Sequence, residues 1–409
     1  MKKNDEDSSF LHDPNYLDLV KYYVGHPIAL YTGAGVSSSK NKKFGVGSWD
    51  DFVRNILEET NIGTHVLDLF DNIKWADKPW EMAEWVAILM GRAEFRRRVT
   101  ASIQKKENFQ IKYKLLSAEF LREASTLNSV AAFCAAFANG SITESKRGMV
   151  AVYERTTNRR VHAIVTTNYD PFLEAASSTM FRNPTLKPVA AKSSSIGELD
   201  EIPVFHIHGY VRFPRKLLEQ AEESRTPFLD PVVTKSDYDL AWKADDAYNF
   251  TMGPQIHVLR HYTVLFIGFS FRDEWVNNLL RKLNKERKER EVEENELSPK
   301  RGRRARLYHY ALMKREYVQA KGEDFFDDLG VKPISLDSFN QIHHILGYLY
   351  GQALLHDYGN KKIELPLHIG RNKNKQNKPV SLTPELYFEE LCACRLSMVH
   401  KKKSYIYSG

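Results

Sequence analysis

The sequence predicts an α/β fold: a parallel sheet of the Rossmann type covered by helices on both faces, with a helical subdomain set into its amino-terminal part. Short apolar runs recur along the chain and alternate with segments of helical spacing, the pattern of strands buried on both faces. From about Val66 to Tyr153 the spacing is helical with little strand signal. Several of the apolar runs stop abruptly in glycine, serine, asparagine or histidine. In an open parallel sheet the carboxyl ends of the strands are where ligands bind.

The elements follow in order. "IALYT" (Ile28 to Thr32) reads as a buried strand that runs into Gly33-Ala34-Gly35. "SWDDFVRNILEET" reads as a helix with Ser48 as N-cap and Asp51 three residues on, as in a capping box, and Phe52, Ile56 and Leu57 on one face. "PWEMAEWVAILMG" and "SVAAFCAAFANG" read as helices closed by glycine. Strands return at Val161 to Thr166, Ile202 to Ile207, Thr263 to Ile267, Leu307 to Met313 and Val331 to Ser335. Asp273 is placed to cap the helix "DEWVNNLLRKL", which buries Val276, Leu279, Leu280 and Leu283, and "NQIHHILGYLYGQALL" follows the last strand as a helix. Residues 1–355 are expected to form one domain, with the helical subdomain at roughly 64–155, and 356–409 a carboxyl-terminal extension with basic segments. In that extension Thr383 and Pro384 start a helix whose apolar stripe is Tyr387, Leu391, Cys394 and Met398. Such a helix serves either assembly or packing on its own core.

Composition narrows the function. Hydrophobic residues make up 42% and charged residues 27%, which is ordinary for a globular chain. No apolar run reaches the ~18 residues of a membrane span, and "MKKNDEDSSF" lacks the apolar core of a leader. The expectation is a cytoplasmic protein without membrane contact. The three cysteines, Cys134, Cys392 and Cys394, fit a reducing compartment and cannot make a four-cysteine zinc site within this chain. The pairs "HIH" and His343-His344 read as structural, no HExxH occurs, and no metal is expected. The net charge of +7 is concentrated late, in Arg281 to Arg306 and the tail. That run reads as a solvated helix and loop, without the interleaved aromatics of a single-strand binding surface; direct nucleic-acid contact stays open.

Four strand ends carry the candidate site: Gly33, Ala34, Gly35 and Ser37; Thr167, Asn168 and Asp170; His208 and Gly209; Gly268, Ser270 and Asp273. Glycines permit close approach of backbone to ligand and leave amides for an anion such as phosphate, although an ordinary strand-to-helix turn needs only one. A nicotinamide dehydrogenase would carry glycine where this chain has Ser38, and an acid about 20 residues on at the end of a second strand. Both are missing. Asn168 can donate and accept while neutral, and His208 can act as a base near neutral pH. His206 lies on the same face but two residues further from the loop, where a histidine is usually a core residue.

Gly33-Ala34-Gly35-Val36-Ser37, Thr167-Asn168-Tyr169-Asp170, His208-Gly209 and Gly268-Phe269-Ser270, in that order, resemble the motifs of the sirtuin-like family over approximately Ile28 to Leu355. With "IHG", "SDY" (Ser236 to Tyr238) and "GFSFRDEW", the chain is most similar to the NAD hydrolases of bacterial antiphage defence. The resemblance implies a sirtuin-like fold, NAD as substrate, and depletion of NAD in the infected cell. It further implies a separately encoded HerA-like ATPase or translocase as partner, while a homo-oligomer is the expectation from the carboxyl-terminal helix. Protein-deacylating sirtuins share a four-cysteine zinc module after the catalytic histidine; here no cysteine lies between Cys134 and Cys392, so deacylation is the second reading. A non-catalytic nucleotide-sensing subunit is the third.

Nicotinamide in NAD is already cationic and leaves neutral, so its release needs no carboxylic acid of the kind that many sugar hydrolases use. On this reading Asn168 positions water or ribose hydroxyls and His208 takes a proton. Asp170 holds the nicotinamide end or orders the loop. Gly33, Ala34, Gly35 and Ser37 cradle the pyrophosphate, and Thr167 stands beside them. Gly268 and Ser270 face the adenosine half, with Asp273 beside them or only capping its helix.

Overall fold

The structure is a computed structural model. It describes residues 5–38, 49–58, 79–103, 109–110, 115–116, 120–121, 124–138, 141–144, 151–154, 160–180, 186–189, 201–211, 231–242, 251–297 and 308–358. The Ser48 cap, the loop following the basic helix and the apolar stripe from Tyr387 to Met398 lie outside the described residues.

Seven strands form one parallel sheet: β1 (Ile28–Thr32), β2 (Val161–Thr166), β3 (Leu186–Val189), β4 (Ile202–His206), β5 (Thr263–Ile267), β6 (His309–Lys314) and β7 (Val331–Leu336). Their spatial order is β7-β6-β5-β1-β2-β4-β3. The chain starts at the centre, winds outward on one side through β2 to β3, then returns to β5 and winds outward on the other. The order therefore reverses between β1 and β5, a topological switch point.

Side chains alternate across each strand. Ile28, Leu30, Ile164, Leu265, Ile267, Tyr310, Leu312, Ile334 and Leu336 join one core. Ala29, Tyr31, Ala163, Val165, Val264, Phe266, Ala311 and Met313 join the other. The first core is covered by α1 (Pro14–Gly25), α6 (Ser125–Ala138), α7 (Phe172–Met180) and α13 (Gln341–Tyr358). The second is covered by α9 (Met252–His261), α10 (Glu274–Leu297), α11 (Arg315–Lys321) and α12 (Glu323–Leu329). The four predicted contacts of α10 are all buried: Val276, Leu279, Leu280 and Leu283.

A third, smaller core belongs to α3 (Trp49–Glu58), α4 (Pro79–Met90) and α5 (Arg92–Ile103), built from Val53, Ile56, Leu57, Met82, Val86, Phe95 and Val99 and joined by Val211 and Val233. Of the region read as helical, α6 packs instead into the main sheet core through Leu127, Val130, Ala131 and Phe133. Two short antiparallel pairs, 109–110 with 115–116 and 141–144 with 151–154, interrupt the same region. The sequence showed no clear sign of them because strands of two and four residues are too short to display alternation.

Candidate active site

Five strand ends open onto one cavity of about 580 Å³. Eleven of the twelve residues singled out in the sequence line it: Gly33, Ala34, Gly35 and Ser37; Thr167, Asn168 and Asp170; His208; Gly268, Ser270 and Asp273; Gly209 is not among the lining residues. Trp80, Tyr169, Tyr238, Lys314, Tyr317 and Phe339 also line it. Lys314 ends β6, so carrying the strand-end rule to that strand finds it. Trp80 and Tyr238 carry no such signal, since both arrive from helices outside the sheet.

The glycines first. After β1 the chain enters the one-turn helix α2 (Ala34–Ser37). The Gly33 amide donates to the Ile267 carbonyl at 3.2 Å, the Gly35 amide to the Gly268 carbonyl at 3.0 Å, and the Val36 amide back to Gly33 at 3.0 Å. These three amides are therefore engaged within the protein, which corrects the reading of the turn as a set of free donors. A Cβ on Gly33 would lie 2.6 Å from the Gly268 carbonyl oxygen, and one on Gly35 2.8 Å from the Gly268 Cα. Gly268 itself has φ +64°. The glycines let two loops at the switch point interlock.

Beyond Gly268, Phe271 is held at φ 52°, a region that costs a bulky residue about 1–3 kcal/mol. Its ring is packed against Phe266, Phe269 and Phe326, and Asn277 Nδ2 donates to its carbonyl at 2.9 Å. This turn delivers Asp273 to the start of α10. Asp273 Oδ1 accepts from the amides of Trp275 and Val276, both at 3.1 Å, so it is the predicted cap. It also lines the cavity, with Oδ2 3.8 Å from His208 Nε2. Burial raises its carboxyl to about 6, against the pull of those two amides and the Tyr238 hydroxyl.

Tyr238 comes from α8 (Lys235–Ala241), which starts with a capping box between Thr234 and Asp237. Glu84 of α4 accepts from both the amide and the hydroxyl of Ser236, each at 3.0 Å, and so ties the small helical core to this helix. The Tyr238 ring stacks on Trp275, and Trp80 of α4 meets both rings. An aromatic wall thus stands beside His208, whose ring meets Tyr238 edge to face.

His208 is buried, with Nδ1 3.3 Å from the Tyr238 hydroxyl and Nε2 without a hydrogen-bond partner among the described residues. Burial pushes its pKa down to about 3. In the free site the ring is therefore neutral throughout the physiological range, the form that can accept a proton. One proton arrangement satisfies the trio. The ionised Asp273 can only accept, so the single Tyr238 proton goes to it; the tyrosine oxygen then accepts from His208 Nδ1–H, and Nε2 keeps its lone pair.

Asn168 is fixed from three sides. Its amide donates to Thr166 Oγ1 at 3.1 Å, its carbonyl faces His206 Nδ1 at 2.9 Å, and its Nδ2 donates to Ser37 Oγ at 3.1 Å. Ser37 in turn gives its hydroxyl proton to Asp170 Oδ1 at 3.0 Å, which also accepts from the Phe172 amide at 3.1 Å. Because that proton is committed, Ser37 must accept from Asn168, which assigns the amide nitrogen. Of the two roles considered for Asp170, these bonds display loop ordering. Burial raises it to about 6, against the Phe172 amide and Ser37. Ser37 is buried within this chain of bonds.

Among the described residues no group of three or more histidine, cysteine, aspartate or glutamate side chains comes together to hold a metal ion. Nor is any helix there long and apolar enough to cross a membrane.

A family model described as a SIR2-like domain matches residues 162–334, from β2 into β7. The match spans Asn168, His208 and Asp273 and leaves out the Gly33 turn, covering less than half of the chain. It supports a sirtuin-like family and NAD-related chemistry. No curated protein matches the chain.

Proposed function

We propose that this cavity hydrolyses NAD to nicotinamide and ADP-ribose, with Asn168 and His208 as its catalytic residues. The observation that carries the reading is His208: a buried, neutral imidazole whose Nε2 has no hydrogen-bond partner among the described residues, on the wall of a cavity it shares with Asn168. The volume of about 580 Å³ falls within the roughly 300–1,000 Å³ of ligand sites. The cavity lies across the switch point, where a dinucleotide can place one half on either side. The β2 and β4 ends supply Asn168 and His208 for the reacting ribose. The β5 and β6 ends supply Ser270 and Lys314 for the adenosine half.

The protein's part in the chemistry is to orient and to accept a proton. The Asn168 carboxamide holds a ribose hydroxyl or the attacking water. His208 Nε2 takes a proton, and the imidazolium so formed meets the Asp273 carboxylate, 3.8 Å away in the free site. Burial disfavours that imidazolium in the free site, and the carboxylate is the group placed to favour it. No carboxylic acid is required for a leaving group that departs neutral.

The test is incubation of purified protein with NAD and no acylated peptide, with nicotinamide and ADP-ribose followed by chromatography. His208→Ala and Asn168→Ala should each slow release by about 10²–10⁴-fold, while NAD still quenches the tryptophan emission of the cavity wall. Release only when an acyl-peptide is added would establish a deacylase instead. Bound but intact NAD would establish a sensor. The likeness to defence proteins extends the proposal to NAD depletion in infected cells, controlled by self-assembly or by a HerA-like ATPase; NAD levels after phage challenge, with and without the His208→Ala variant, check that part.

A further inference from the structure

Beneath the cavity floor, outside the chemistry proposed above, lies a buried ion pair. His206, at the end of β4, is about 1% exposed. Its Nε2 is 2.6 Å from Glu174 Oε1 on α7, and its Nδ1 is 2.9 Å from the Asn168 carbonyl oxygen. We propose that Glu174 and His206 are a positioning pair for Asn168, in which a buried imidazolium clamps the Asn168 backbone and so aims its carboxamide into the cavity.

A backbone carbonyl and an ionised carboxylate are both acceptors only, so each ring nitrogen must donate. A neutral imidazole has one N–H and satisfies one of them. The imidazolium satisfies both, and a 2.6 Å contact is the length of a charge-assisted bond. Burial works against the charge, but Glu174, the Asn168 carbonyl and Asp170 outweigh it and hold His206 above its ordinary pKa. The groups facing the ring are Glu174 from α7, Asp170 and the Asn168 carbonyl from the β2–α7 loop, and the ring of Tyr210 at 4.6 Å. His208, two residues on, has the opposite protonation because it faces a phenol instead of a carboxylate within hydrogen-bond reach.

Asn168 is thereby locked through its main chain by His206 and through its side chain by Ser37 and Asp170. With one Nδ2 hydrogen committed to Ser37, the carboxamide oxygen and the second N–H are left for a ligand. A loosened Asn168 carbonyl would move that oxygen, and misplacement of a catalytic group by about 1 Å costs on the order of 10²-fold. Neither Glu174 nor His206 lines the cavity, so both act through Asn168.

The pair rests on the proposed NAD hydrolysis only for its kinetic readout. Selectively ¹⁵N-histidine-labelled protein, with the His206 signal assigned by its loss in His206→Gln, should show both ring nitrogens protonated at pH 7.5, whereas His208 is neutral. A neutral His206 there overturns the proposal, whether or not the protein cleaves NAD. Glu174→Ala should lower kcat about 10- to 100-fold with KM nearly unchanged. Glu174→Gln should recover most of that loss, because its amide donates to His206 Nε2 while Nδ1–H keeps the Asn168 carbonyl. Wild-type turnover in Glu174→Ala, or equal impairment of Glu174→Gln, would also overturn it. If Glu174→Ala does not fold, the nuclear resonance measurement on the wild type decides. If the wild type releases no nicotinamide, the proposed function fails and the resonance measurement still tests the ion pair.

Discussion

Tyr238 decides which nitrogen of His208 carries the proton, and Asp273 decides it for Tyr238. The consequence is a pH dependence with a definite sign. Above about 6, Asp273 is ionised, takes the tyrosine proton and leaves His208 Nε2 with its lone pair. Below about 6 the carboxyl is protonated, Tyr238 is free to donate to Nδ1, and the histidine proton moves to Nε2. Asp170 titrates in the same range, also at about 6, and its protonation releases the Ser37 hydroxyl that orders Asn168. His208 adds no limb of its own, since it is neutral down to about 3. The logarithm of the NAD cleavage rate should therefore fall on acidification through pH 6 with a slope approaching two. Asp273→Asn should cut activity at pH 7.5 and leave a slope near one. Tyr238→Phe, which keeps the ring stack and loses the hydroxyl, should lower kcat about 10-fold or more with little change in NAD binding. A pH–rate series at fixed ionic strength measures all three; a flat wild-type profile between pH 5 and 7 would count against the arrangement.

The loops after β1 and β5 act as one interlocked element, and two glycines on different elements separate packing from propensity. At Gly268 a Cβ would meet the Val36 nitrogen at 2.5 Å and the backbone already has φ +64°. Backbone cannot yield as a side-chain tip can, so Gly268→Ala should destabilise by about 1–3 kcal/mol. Gly253 in α9 has nothing within 4 Å of such a Cβ. Gly253→Ala should stabilise by up to about 1 kcal/mol through helix propensity. Thermal melts of the two variants should move in opposite directions, and equal shifts would show that the loops have room. The same elements show what the sequence made legible. Six of the seven strands were placed, with ends differing by at most two residues, because each is an apolar run bounded by polar or glycine residues. The seventh, Leu186–Val189, is "LKPV" at the sheet edge. It is short, and Pro188 is a residue that strands tolerate only at edges. The strand-end rule found eleven cavity residues because it depends on topology alone. Tyr238, Trp80 and Glu174 escaped it: their placement depends on helix packing, which periodicity does not encode.

At the scale of the whole molecule, a sheet buried on both faces forces its internal histidines to be neutral unless a carboxylate meets them, as Glu174 meets His206. His309 on β6 has no such partner among the described residues. Its Nδ1 accepts from the Val264 amide at 3.3 Å, and burial together with Arg287 pushes its pKa down to about 3. His208 is depressed to the same value by burial. A group held below its unfolded pKa contributes stability that is present above the unfolded value, about 6.5 for histidine, and is lost as pH falls toward the folded value. Each of these two histidines should therefore cost about 2 kcal/mol between pH 7 and pH 5. Asp170 and Asp273, both raised to about 6, work in the other direction as pH falls through 6 toward the unfolded carboxylate value. Their opposition makes the wild-type curve shallow and hides the histidines, so the test is a difference. His309→Asn keeps an acceptor for the Val264 amide and removes the titration. Its stability at pH 7 should be lower because the side chain packs less well. Its further loss on going to pH 5, measured by denaturant unfolding, should be smaller than that of the wild type by about 2 kcal/mol. An equal loss in the two proteins would mean that His309 takes up its proton in the folded state, and that the sheet interior at β6 is open to water.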